Sequence, residues 1–128
     1  MSLQQMIENH PQVDDQTEEL VLAARHAMLC SLFCTSCADA CLAEDMDMAQ
    51  CIRNCLDCAD VCGATARLAV RRTAQNIEVL RSQLETCIKA CETCAEECEK
   101  HDNPHCAMCA KMCRECAGDC RKALPLVK

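Results

Sequence analysis

One cysteine spacing, C-x3-C-x2-C-x3-C, is written four times in this chain. It occurs at Cys30, Cys34, Cys37 and Cys41, and again at Cys51, Cys55, Cys58 and Cys62. The third copy is Cys87, Cys91, Cys94 and Cys98, and the fourth is Cys109, Cys113, Cys116 and Cys120. Only Cys106 of the 17 cysteines lies outside these copies, three residues before the last one. Steps of four and three keep side chains on one face of an α-helix, so each copy is a helical stripe of thiols. At the helical rise such a stripe is about 16 Å long. The spacing is also that of the inward positions of helical bundles, here given to Cys instead of Leu. Four striped helices joined by short connections satisfy one another by turning the stripes inward. The expected fold is therefore all-α, an antiparallel up-down-up-down four-helix bundle lined with sulfur.

The rest of the composition agrees with thiols as core material. There is one Phe and no Trp or Tyr, so Cys must fill space that large side chains normally occupy. A length of 128 residues suits one domain, 1–128. A net charge of -7 without any basic run argues against nucleic acid as a partner. Met1 to Pro11 contains no apolar run of the kind a secretion signal or membrane span needs, so a cytoplasmic protein with no membrane partner is expected. In that reducing compartment an odd number of cysteines reads as metal ligands before it reads as a disulfide framework.

The expected elements are a short N-terminal strap helix over 2–10 and bundle helices over 16–44, 48–72, 74–101 and 104–124. Leu3, Met6, Ile7 and His10 give the strap an apolar side, and Pro11 ends it. Asp15 with Glu18, and Asp47 with Gln50, have the spacing of capping boxes for the first two long helices. Arg71 and Arg72 suit the negative end of the second helix dipole, and Thr73 suits the cap of the third. Asn103 followed by Pro104 opens the fourth, and Pro125 closes it. Val21, Met28 and Leu32 lie opposite the first cysteine stripe, an outward apolar line that fits the strap or a second subunit.

Extending the stripes beyond the cysteines makes the two poles differ. One continues into Ala23, Ala27, Ala66, Ala69, Leu80, Leu84, Ala123, Leu124 and Val127, an apolar plug. The other continues into Met48 and His101, with His105 and Cys106 beside them, and is the expected entrance. Glu44, Met46 and Asp102 are near it in sequence. His26, four residues before Cys30, is an auxiliary donor candidate at the plug end. Met108 and Met112 fall off the cysteine face and read as packing residues, and Glu92, Glu96, Glu97 and Glu99 as a solvated helix face.

Charge selects the metal. Soft thiolates take Cu(I), Zn(II) or iron-sulfur clusters. A four-thiolate zinc site carries a charge of about -2, and several stacked in a dry core need buried cations. Arg53, Lys89, Lys111 and Arg114 all point outward in this register. One Cu(I) per thiolate is neutral, and pairs at i and i+4, with Cβ atoms roughly 5–6 Å apart, converge two sulfurs on one ion. The expected capacity is on the order of one Cu(I) per Cys. Many equivalent sites without an open catalytic position mean storage or buffering, not an enzyme. The rivals are an iron-sulfur electron carrier, a thiol oxidoreductase and zinc-thiolate storage. The first normally gathers its cysteines from loops, and the second needs one reactive Cys at a helix start.

The four stripes, the His-Asp-Asn-Pro-His-Cys segment from His101 to Cys106 and the N-terminus resemble the cytosolic bacterial copper storage proteins over nearly the whole chain. The resemblance implies Cu(I) storage in a Cys-lined bundle, uptake through one end and a homotetramer. It carries all 17 cysteines over as ligands, and Met48, His101 and His105 as entrance residues.

Overall fold

The computed structural model describes residues 1–11, 18–71 and 75–128. The elements in chain order are α1 (Leu3–Glu8), α2 (Glu18–Cys41), α3 (Ala49–Ala69), α4 (Ile77–Cys98) and α5 (Pro104–Ala123), followed by a 3-10 turn, Leu124–Leu126. The four long helices form a ring in which each packs on its neighbours in sequence and α5 closes back onto α2. This is the antiparallel four-helix bundle that the stripes call for, with no strand among the described residues. The expected caps at Asp15 and Thr73, and the expected role of Arg72, lie outside the described residues.

The stripes are what the ring encloses. All 17 cysteines are buried and none is in a disulfide. They share one core with Met48, Met112, a set of alanines and the leucines Leu20, Leu80 and Leu84. Alanine beside cysteine keeps the helices close, because neither side chain is long. By length and hydropathy α2 would suffice to cross a membrane. Its buried residues, however, are chiefly alanines and cysteines turned to the other three helices. The expected plug is closed: Ala23, Ala27, Ala66, Ala69, Leu80, Leu84, Ala123 and Val127 are buried, with Leu124 packed partly against them.

The helix ends show where local rules yielded to context. Ser2 caps α1 by accepting a hydrogen bond from the Gln5 amide at 3.1 Å. At the other end Asn9 donates from Nδ2 to the Gln5 carbonyl at 2.7 Å, and the helix ends at Glu8, three residues before Pro11. Asn103 is extended, and Pro104 starts α5 where its missing amide proton removes no helical bond. The capping box expected at the start of α3 does not form. Asp47 accepts from the Ala49 amide at 3.0 Å, but Gln50 donates to Asn54 at 2.8 Å instead of reaching back. A side-chain partner one turn ahead has displaced the reciprocal half of the box.

The outward line on α2 is shorter than its spacing suggests. Met28 and Leu32 are exposed, as is Leu29 between them, but Val21 is buried. The short helix α1 packs on α2, and Ile7 is buried like Val21 although neither belongs to the central core. The strap therefore covers the first end of the apolar line. Met6, expected on its apolar side, faces solvent.

Candidate metal centre

The closest sulfur contacts close three triangles, each built in the same way. In the first, Cys30 and Cys34 of α2 are 3.9 Å apart and each is 3.7 Å from Cys113 of α5. In the second, Cys58 and Cys62 of α3 are 3.7 Å apart and lie 3.8 and 3.5 Å from Cys91 of α4. In the third, Cys94 and Cys98 of α4 are 4.0 Å apart and lie 3.7 and 3.8 Å from Cys55 of α3. An i, i+4 pair on one helix meets one thiol of the helix beside it. The centre of such a triangle is about 2.2 Å from each corner, close to the length of a first-row metal–thiolate bond. Each triangle is thus of a size to take one three-coordinate ion.

The triangles are not separate. Cys58 reaches Cys113 at 4.0 Å, and Cys109 reaches Cys34 at 3.7 Å. Toward the plug, Cys62 meets Cys87 at 3.8 Å and Cys87 meets Cys116 at 4.0 Å, in the last turns occupied by sulfur. Toward the other pole Cys51 meets Cys98 at 3.7 Å. Four-residue groups within ligand reach overlap throughout: Cys30 and Cys58 belong to two of them, as do Cys34 with Cys113 and Cys37 with Cys109. A sulfur that belongs to two groups can bridge two ions, so metal in one group is coupled to metal in the next.

The donor set decides which metal fits. Among the described residues the only buried polar or charged side chains are Thr65 and Asp119, neither of them a cation. Arg53, Lys89, Lys111 and Arg114 are exposed. A stack of dianionic zinc tetrathiolates has nothing in this core to offset its charge, whereas Cu(I) thiolate is neutral. Burial acts in the same direction on the empty protein. It raises the thiols of Cys41, to about 12, and of Cys51 and Cys106, so they stay protonated and pack as neutral groups.

At the pole away from the plug an imidazole lies against a thiol. His105 Nδ1 lies 3.3 Å from Cys37 Sγ and 3.6 Å from Cys106 Sγ, and its Nε2 is 3.0 Å from Glu44 Oε1. Cys37, Cys41, His105 and Cys106 form one ligand group. The Cys37 thiol and then the Glu44 carboxylate hold the imidazole above its ordinary proton affinity. Contact with Cys109 raises the Cys37 thiol, but Cys55, Cys98 and His105 outweigh it and bring that thiol down to about 6. An imidazole nitrogen and a soft sulfur donor thus stand side by side at the end of the tube.

The other expected entrance residues are placed differently. Met48 is buried at 3% exposure within the core beside the cysteines. His101 is half-buried and meets Glu97 at 3.0 Å through Nε2. Met46 and Asp102 are exposed. At the far end, His26 Nδ1 contacts the Asp119 carboxylate and lies 3.7 Å from Glu115, both on α5. Met108 is exposed, while Met112 is buried in the core. Sequence reasoning missed Glu44 as the partner of His105 and Asp119 as a buried acid. The only signal for either was an acidic residue near an expected pole.

Residues 16–125 match the family model described as copper storage protein. The chain is similar in structure to Ccsp, the copper storage protein from Streptomyces lividans, loaded with 10 copper equivalents. The two are 35% identical with a TM-score of 0.92 over 97% of this chain and 98% of that one. A second structure, of copper loading with five coppers to a cytosolic copper storage protein from the same organism, is 39% identical. Its TM-score is 0.81 over 84% of this chain and 93% of that one. No curated protein sequence matches the chain.

Proposed function

Because the chain belongs to the copper storage protein family, we propose that it stores Cu(I) along the whole sulfur core with all 17 cysteines as ligands. The observation that carries this reading is the sharing of cysteines between successive four-residue groups. Isolated sites would hold a few ions, each with private ligands. Shared thiolates instead let a neutral copper–sulfur chain extend from the plug to His105, with a capacity on the order of one Cu(I) per Cys. Each ion entering replaces one thiol proton, so the core does not accumulate charge as it fills.

Uptake runs through the pole of Met48, His101 and His105. Cys37, 3.3 Å from His105 and in the ligand group with Cys41 and Cys106, takes the first ion. Met48 then swings aside to admit it, and His101 serves as an outer donor. Many similar sites and no substrate position suit retention, so the protein holds its ions without catalysing a reaction on them. The Streptomyces lividans relative is cytosolic, and this chain works in the same compartment. The exposed Met28, Leu29 and Leu32 on α2 suit assembly into a homotetramer.

The test of the entrance is a triple variant, Met48→Leu with His101→Ala and His105→Ala. The Leu replacement keeps core volume while removing the sulfur. Stopped-flow loading from a Cu(I) chelator is expected to slow at least tenfold, with the number of ions bound at saturation almost unchanged. Reduced capacity at an unchanged rate would place the entrance elsewhere.

A further inference from the structure

We propose that His26, Glu115 and Asp119 form a second metal site, outside the thiol core and of a different chemical class, that takes Zn(II). Glu115 and Asp119 are four residues apart on α5, so their carboxylates share a face. That face meets His26 on α2, across a seam where the two helices pack directly. His26 Nδ1 contacts Asp119 Oδ2 and is 3.7 Å from Glu115 Oε1. Donors on a tetrahedral zinc ion with bonds near 2.1 Å are about 3.4 Å apart. Glu115 therefore stands at nearly the required separation, and Asp119 reaches it by a carboxylate rotation away from the ring.

Burial grades across the three donors. The side chain of Asp119 is 9% exposed, that of His26 21% and that of Glu115 53%, which gives an ion a path from solvent to the innermost ligand. Asp119 is the one buried acid among the described residues. A buried carboxylate requires a compensating partner, and here it has an imidazole shared with a second carboxylate. A divalent ion between a neutral imidazole and two carboxylates brings the group to zero net charge and leaves a fourth position for water. Nitrogen and carboxylate donors suit Zn(II) and are poor for Cu(I), whereas the thiolates bind both metals and, once filled with Cu(I), leave Zn(II) to the outer site. Two sites in one chain thus sort two metals, and the outer one pins α2 to α5 beside the plug.

The test uses the full chain, loaded anaerobically with Cu(I) to saturation so that its thiolates are occupied. It is then equilibrated with Zn(II), desalted, and assayed for both metals beside His26→Ala and Glu115→Gln. Wild type is expected to retain one Zn(II) per chain more than His26→Ala at equal Cu(I) content. Glu115→Gln should weaken retention tenfold or more, and Zn(II) should raise the melting temperature of wild type but not of His26→Ala. Equal zinc in wild type and His26→Ala, whether zero or not, would overturn the site and leave an ion pair. The copper count in the same samples reports on storage separately, because the zinc readout is a difference between two chains. Far-UV circular dichroism confirms that the variants remain folded.

Discussion

Removing the sulfur of Cys113 separates the two jobs assigned to a core thiol, filling space and binding metal. Its Sγ is fully buried, lies 3.7 Å from both Cys30 and Cys34, and meets Cys58 at 4.0 Å. In the apo protein Cys113→Ala removes one buried heavy atom, comparable to a buried methyl deletion, at a cost of about 1 kcal/mol. Cys113→Ser keeps the volume but places a hydroxyl among thiols, an unmatched buried polar group costing roughly 1–3 kcal/mol. Serine is thus expected to be the more damaging of the two in thermal melts of the metal-free protein. Toward Cu(I) the two variants should behave alike. Either leaves Cys30 and Cys34, 3.9 Å apart, as a two-coordinate site and cuts the link to Cys58. Anaerobic titration should then show about one ion fewer per chain and faster release to a chelator. The reasoning fails if apo Cys113→Ser is as stable as wild type, or if both variants keep full capacity and the wild-type release rate.

The remaining predictions concern pH and assembly. Burial raises the Cys41 thiol from 9.0 to about 12, so the folded chain keeps a proton that the unfolded chain gives up. The stabilisation from this group is complete below pH 9 and lost as pH rises from 9 to about 12. Cys51 and Cys106 shift in the same direction, so the apo melting temperature should fall steadily above pH 9; a flat profile to pH 11 would contradict neutral packing. Leu32→Glu places a charge on the exposed line of α2; under the proposed homotetramer it should lower the mass in light scattering without changing copper capacity. An unaltered mass would remove this line from the proposed assembly.

How far the sequence could be read follows from which distances its spacing controls. The four cysteine stripes fix the face each helix turns inward, and with short connections that leaves one arrangement of the bundle. The plug was legible for the same reason, since Ala66, Leu84 and Ala123 continue the stripes at the same steps. The sulfur triangles were not. Pairing Cys30 and Cys34 with Cys113 depends on the axial offset of α2 against α5, which no spacing within a helix encodes. Cys37 with His105, and His26 with Asp119, are 68 and 93 residues apart and met for that reason unannounced. Val21, read on the face opposite the cysteines, is buried outside the central core, on the helix that the strap packs against. Met48 was read on the thiol face from its spacing, and it is buried in the core with the cysteines.

Copper storage of this kind requires an interior that is neutral when empty and neutral when full. Anaerobic addition of Cu(I) in weak buffer, with bound copper and released protons counted together per chain, tests this directly. The expected result is on the order of one Cu(I) per cysteine with close to one proton released per ion over most of the titration. Saturation after one or two ions, or three to four protons released for each, would mean isolated charged thiolate sites instead of a continuous copper–sulfur core.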